Sequence, residues 1–283
     1  SKTRTLFVKM ELCGPFSAIS SQLTFSLCSV IISQYEYYVP YIRTKSNPNL
    51  RRPFLEKTKQ PNILWFCADQ MRFDTIAALG NTEIRTPSLD ALIQNGVAFE
   101  NCYVQNQLCT PSRASFLTGR YPAAHQVYRN GNVYFPDHEI LVTKILADAG
   151  YDCGLIGKLH LSSAATEETR PDDGYRFFKW CQNPGWEKVE GSNAYWTWLR
   201  EKKNVDPKTL FPSAPPYLGE GVPTELHQLA WCAETAIDFI DEERSGPWQL
   251  SVNPFDPHPP FDPPVEFLEK YNGEEITPPL FQK

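Results

Sequence analysis

The sequence lacks the spacings that close small metal sites. Its eight cysteines include no Cys-x-x-Cys pair and no Cys/His pattern, which excludes a structural zinc module. They do not form a disulfide framework either: Cys67, Cys102 and Cys153 fall in apolar, strand-like runs, where buried free thiols are expected. Basic charge is short as well. The 27 Lys and Arg face 33 Asp and Glu, a formal net charge of −6. That balance excludes nucleic acid or an anionic membrane surface as the main partner. An anionic substrate would need a local cluster of Arg, Lys and His. Long apolar runs are missing too. The stretch from Phe16 to Ile32 is broken by Ser17, Ser20, Ser21, Gln22 and Ser26, too polar for a membrane span and without a small-x-small cleavage site. Residues 1–60, with Lys2, Arg4 and Lys9 at their start, read as an unassigned N-terminal extension: a degenerate leader, or sequence outside the natural domain.

What is present suits one large α/β domain. Across 283 residues, 41% hydrophobic and 13% aromatic content can fill a sizeable core. Prolines concentrate after Asp206 and between Asn253 and Pro264, marking surface loops. From Pro61 the pattern alternates strand and helix. Asn62–Ala68 reads as a buried strand ending at Asp69-Gln70. Thr86-Pro87 reads as a cap and first helical residue, with Gly96 as the stop. A strand over Val97–Val104 precedes a helix near Pro111. Asp137 is expected to cap a helix reaching Ala149, followed by a strand from Tyr151 to Ile156. A helix from about Glu225 carries Leu226, Leu229, Ala230, Ala233, Ile237 and Ile240 at helical spacing. Trp248–Val252 is the last strand, and residues 167–223 read as a loop-rich insertion.

Strands alternating with helices imply a largely parallel sheet covered on both faces, which binds ligands beyond the carboxyl ends of its strands. Asp69 and Gln70, Lys158 and His160, and Asp256 and His258 each follow a strand, and Cys109 lies between a strand and a helix. Chemically capable groups therefore collect on one edge. Cys109 opens the run Cys109-Thr110-Pro111-Ser112-Arg113-Ala114-Ser115-Phe116-Leu117-Thr118-Gly119-Arg120. Pro111 presets the first helical turn, and Arg113 can fold back to the helix mouth, where free N–H groups favour an oxyanion. Alone, Cys109 reads first as a small buried hydrophobe and second as a thiolate nucleophile.

The run resembles the Cys-x-Pro-Ser-Arg signature of the type I sulfatases, in the alkaline-phosphatase superfamily. Gly150-Tyr151-Asp152-Cys153-Gly154-Leu155-Ile156-Gly157-Lys158-Leu159-His160 resembles that family's second signature, departing at Cys153, and Phe255-Asp256-Pro257-His258-Pro259-Pro260-Phe261 resembles its Pro-His-x-Pro-Phe segment. His125, His138 and His227 match no family position and read as ordinary surface or loop histidines. The resemblance implies an α/β three-layer sandwich with a largely parallel mixed sheet, alkaline-phosphatase-like.

It also implies a sulfuric ester hydrolase. Cys109 would be oxidised to formylglycine by a formylglycine-generating enzyme, and its hydrate would attack sulfur. Arg113 would hold the formylglycine oxygens, Lys158 would neutralise the sulfuryl group, His258 would protonate the leaving alcohol, and His160 would take the second hydroxyl proton. Asp69, Gln70 and residue 109 would hold Ca²⁺, or Mg²⁺ or Mn²⁺. The substrate would be a small-molecule or glycan sulfate ester, with no nucleic-acid partner, in a secreted, periplasmic or lysosomal-like compartment.

Two alternatives stand beside this: a phosphonate or phosphate diester hydrolase of the same superfamily, and a catalytically dead anion-binding fragment. The family's Asp-His or Asp-Asn metal motif and a further lysine do not occur after His258. Residues 61–283 are thus expected to be the N-terminal portion of a catalytic domain, incomplete at its C-terminal end and inactive by itself. Asp256, Asp262 and Glu266 are the first substitutes for the missing ligands. Lys158 and His160 are expected in a polar loop, with little bearing on stability.

Overall fold

A computed structural model describes residues 8–10, 30–33, 60–162, 168–211, 217–271, 273 and 275–277. Seven strands form one sheet: β1 (Val8–Met10), β2 (Val30–Ser33), β3 (Ile63–Phe66), β4 (Gly96–Ala98), β5 (Asp152–Gly157), β6 (Phe177–Trp180) and β7 (Trp248–Asn253). Their spatial order is β4-β1-β2-β3-β7-β5-β6. β3, β7, β5 and β6 are mutually parallel, whereas β2 runs antiparallel to β3 and β4 antiparallel to β1. The sheet is therefore mixed, with a parallel half. Two strands come from the extension left unassigned by sequence; the rest of that extension, including most of the leader-like stretch from Phe16, lies outside the described residues. Among the described residues no helix is long and apolar enough to cross a membrane.

Alternation along β5 makes three layers. Cys153 and Leu155 point into a cluster with Ala114, Leu117 and Leu141, whereas Ile156 joins the opposite cluster with Trp231, Phe239 and Leu250. Successive side chains of a strand face opposite ways, so both faces must be covered. Helices α2 (Cys109–Thr118) and α4 (Val142–Asp148) pack on one side, and α5 (Ala194–Glu201) and α6 (Gln228–Asp241) on the other. α1 (Pro87–Gln94), α3 (Pro122–His125) and α7 (Val265–Leu268) complete the helices.

Several boundaries differ from the sequence expectation. The strand expected over Val97–Val104 is only Gly96–Ala98, so Cys102 lies outside it and is half-buried; Cys67 is half-buried just after β3, and Cys153 alone of the three is buried. α4 begins at Val142: Asp137 sits in a turn whose Glu139 N–H donates to the Pro136 carbonyl, 3.1 Å. The presumed insertion contains an edge strand, β6, and a helix, α5, whose first turn Asn193 caps by accepting from the N–H groups of Tyr195 and Trp196. Trp and Tyr at 195, 196 and 198 bury that helix against the core, a stripe masked by the surrounding charge and proline. A 3-10 turn covers Thr224–Leu226 before α6, which His227 caps through its Nδ1.

Candidate active site

α2 starts at Cys109, two residues earlier than the proline suggested, because Pro111 occupies the third position of the first turn and needs no hydrogen-bond partner. The helix mouth differs from the expected ring of free amides. The Thr110 N–H donates to Asn130 Oδ1 at 2.9 Å and that of Ser112 to the Leu108 carbonyl at 3.0 Å. Positive charge at the mouth therefore comes from side chains.

Arg113 and Lys158 supply it. Arg113 Nη1 donates to the Lys158 carbonyl (2.9 Å), which also accepts from Asn253 Nδ2 (2.9 Å). The Lys158 N–H in turn donates to the Asn253 carbonyl (2.9 Å). The end of β5, the end of β7 and the first turn of α2 are thus tied at one carbonyl. Lys158 Nζ donates to Asp69 Oδ2 at 2.5 Å, and Arg113 Nη2 lies 3.8 Å from the same oxygen. Lys158 is only 2% exposed, so it is a buried ion-pair member and not the loop lysine expected from sequence. Burial alone would raise the Asp69 carboxyl, but the adjoining Arg113 and Lys158 charges hold it below its ordinary value.

Cys109 closes the group. Among the described residues, Asp69, Cys109 and His258 are the one His/Cys/Asp/Glu cluster whose ligand atoms lie within 4.8 Å of one another. A hydrogen bond with His258 lowers the Cys109 thiol pKa against burial and the Asp69 charge. For His258, burial is outweighed by the bonds to Cys109 and the Pro259 carbonyl, so its pKa rises. His258 Nδ1 donates to that carbonyl at 2.7 Å, which leaves Nε2 as its second titratable nitrogen. The imidazole packs on Phe255, ring centroids 4.5 Å apart, and Lys158 Nζ lies 5.3 Å from the same ring. Gln70 is exposed, in left-handed backbone (φ 59°), immediately beyond Asp69. One carboxylate with a thiol and an imidazole is a mixed donor set as it stands; an oxygen at position 109 would turn it toward a hard cation.

His160 stands apart from the expected loop. Its backbone is left-handed (φ 57°), its Nδ1 is buried with no hydrogen-bond partner, and burial together with Lys158 and Arg113 pushes its pKa down to about 3. Glu168 fixes this segment by accepting from the N–H groups of His160 and Leu161, both 2.9 Å, and of Ser162 at 3.3 Å. Sequence reasoning missed Glu168, Asn130 and Asn253. Only Asn253, a polar residue closing an apolar strand before Pro254, carried a signal. His125 is fully buried, not a surface residue: its Nδ1 accepts from the Val127 N–H (3.1 Å), so Nε2 donates to Ser115 Oγ at 2.9 Å. That donor direction makes the pair structural and not a nucleophile with its base.

A strand-end lysine, a helix-mouth cysteine and arginine, and a neighbouring Asp and His, set on a three-layer α/β sheet, define an anion-handling site of the alkaline-phosphatase-like class. Residues 61–278 match the Sulfatase family, and the chain belongs to it. It is 31% identical over 236 residues to an arylsulfatase of Clostridium perfringens, covering 78% of this chain and 48% of that one. A human steryl-sulfatase is 38% identical over 120 residues, 39% of this chain and 21% of that protein. The phosphonate monoester hydrolase of Agrobacterium radiobacter superposes with a TM-score of 0.61 at 25% identity, over 77% of this chain and 45% of that one. The chain spans less than half the length of each.

Proposed function

We propose that this protein hydrolyses sulfate esters through Cys109 oxidised to formylglycine by a formylglycine-generating enzyme. The observation that carries the reading is the juxtaposition of Cys109 with His258 and Asp69 beside two buried cations, Arg113 and Lys158. Formylglycine at 109 would supply the nucleophilic oxygen; Asp69, Gln70 and residue 109 would hold a divalent cation, Ca²⁺ before Mg²⁺ or Mn²⁺, which would supply charge neutralisation for the sulfuryl group.

This chain's own groups do the rest. Lys158 receives the sulfuryl oxygens as a fixed, desolvated donor, the arrangement that stabilises developing charge most effectively, while Arg113 holds the formylglycine oxygens and adds positive charge. Asp69 keeps both cations aligned. His258, held by the Pro259 carbonyl, presents its other nitrogen to protonate the leaving alcohol. His160, its pKa held down first by burial and then by the Lys158 and Arg113 charges, is neutral and acts as acceptor; an anion bound between Lys158 and Arg113 would offset the charge part of that depression.

The test is production of the full-length protein alongside a formylglycine-generating enzyme, peptide mass spectrometry of residue 109, and turnover of an aryl sulfate. An aldehyde at 109 and activity lost in Cys109→Ala are expected. Full activity with an intact thiol would sink the reading. The structural likeness to a phosphonate monoester hydrolase makes an aryl phosphonate the second substrate to assay, and a higher kcat/KM on it would reassign the reaction.

A further inference from the structure

Beside the cation cradle lies a cavity of about 750 Å³ whose character is the reverse. Its lining includes the aromatic rings of Trp186, Trp196 and Phe211, with Trp196 and Phe211 stacked at 6.2 Å between centroids and 10° between planes. Asp256 and Asp262 line it as well. One oxygen of Asp256 is buried with no hydrogen-bond partner, and its nearest basic atom is His227 Nε2 at 3.9 Å. Burial, with the Asp256 charge adding to it, pushes Asp262 up to about 6, and burial raises the Asp256 carboxyl as well. Glu187, also on the lining, is already spent on Arg200 and on the N–H groups of Gly191 and Asn193. Among the described residues, Lys208 is the one Lys or Arg on the lining, and it is exposed.

The acidic wall is held rigidly. The Gly219 N–H donates to the Phe261 carbonyl (3.1 Å) and that of Gly221 to the Pro263 carbonyl (3.0 Å), and a Cβ at Gly221 would sit 1.6 Å from the Asp262 carbonyl oxygen. The cavity is joined to the cradle by Phe255 and Pro260, which line it while flanking His258, the residue facing Cys109. Asp256, Asp262 and His227 do not gather tightly enough to bind a metal ion. An organic cation, broader and able to stack on aromatic rings, suits this lining.

We propose that this cavity is the leaving-group pocket and selects alcohols that combine a ring with a protonated amine. The proposal rests on the sulfate-ester reading for the word leaving-group, but the cation selectivity stands on the cavity alone. Such an ester is a zwitterion, with sulfate toward Arg113 and Lys158 and ammonium toward Asp256 and Asp262. The bipolar site matches it, while the chain's net charge of −6 disfavours purely anionic esters.

Tyramine and 4-ethylphenol, alike except for the amine, are the probes. Calorimetric titration should show tyramine bound at least tenfold more tightly. Asp262→Asn, and independently Asp256→Asn, should erase most of that ratio while leaving 4-ethylphenol affinity in place. Equal affinities, or a preference kept by both folded variants, would overturn the proposal. Turnover of tyramine O-sulfate and 4-ethylphenyl sulfate separates the two readings. Hydrolysis of both without preference counts against the pocket. Amine-selective binding with no hydrolysis of either supports the cation pocket and counts against sulfate-ester chemistry.

Discussion

Asp69 is one anion shared by two buried cations, and that inequality has a measurable consequence. Removing Lys158 leaves the Arg113–Asp69 pair intact, whereas removing the Asp69 charge leaves Arg113 and Lys158 buried together without compensation. Stranding a buried charge costs about 3–5 kcal/mol. Asp69→Asn is therefore expected to lower Tm more than Lys158→Met, and added inorganic sulfate should restore much of the Asp69→Asn loss by replacing the missing anion. The reverse order, measured by differential scanning calorimetry, would mean that Lys158 is paired otherwise. Lys158→Met should still cut kcat/KM by on the order of 10²-fold through loss of one oxyanion donor. The identities of Cys109, Arg113, Lys158 and His258 were legible because each stands at a strand end or helix mouth with a recognisable neighbourhood. Their burial was not legible. A lysine after a strand reads as solvated until the fold shows an aspartate 89 residues away reaching it.

At the scale of elements, the site depends on β5 and β7 ending side by side. Gly157 makes that approach: it adopts φ 103°, and a Cβ there would lie 2.0 Å from the Asn253 carbonyl oxygen. This is the same carbonyl that accepts from Lys158. Gly80 has nearly the same φ, 104°, with nothing within 4 Å of its missing Cβ. Gly80→Ala should cost about 1 kcal/mol of backbone strain, and Gly157→Ala several-fold more, because the strand ends must separate. Urea unfolding of the two variants checks the difference, and equal losses would show that the close approach is relieved elsewhere. Gly157→Ala should also lose most activity, since Lys158 and Asn253 would move apart. The sequence pattern located β3, β5, β7, α1 and α6 because apolar periodicity ran unbroken through them. It failed for β6 and α5, where Trp, Pro and charged residues alternate and tertiary packing overrides the local signal. It overran at β4 and α4, where the expected apolar positions Tyr103 and Ile140 are exposed.

Across the whole molecule the two ends of the parallel strands are specialised. The carboxyl ends hold the candidate site, and the amino end of β5 holds an ion network: Asp152 accepts from Arg176 (2.6 and 2.7 Å) and Arg244 (2.6 Å), and both arginines also reach Glu242. This network staples β5 to the approach to β6 and to the residue after α6, far in sequence yet adjacent in the fold. Parallel alternation implies a site at the carboxyl ends, whereas nothing in the sequence pointed to the ion network at the amino end of β5, because Arg176 and Arg244 sit in loops without a pattern. Burial would raise the Asp152 carboxyl, but the two guanidinium groups outweigh it and hold it below its ordinary value. A carboxyl whose pKa is lower folded than unfolded contributes stability that is complete above the unfolded value, about 3.9, and is lost as pH falls through the folded one. Arg176 is more than half exposed, so solvent screening limits the network to about 1 kcal/mol. Asp152→Asn is accordingly expected to lower Tm at pH 7, to converge on the parent protein as pH falls below the ordinary carboxylate range and through the lowered Asp152 pKa, and to leave kcat/KM untouched, since the substitution lies at the opposite strand ends from Lys158. A Tm difference that persisted unchanged into acid would assign the loss to packing and not to charge. A fall in kcat/KM would mean that the two ends of the sheet are coupled.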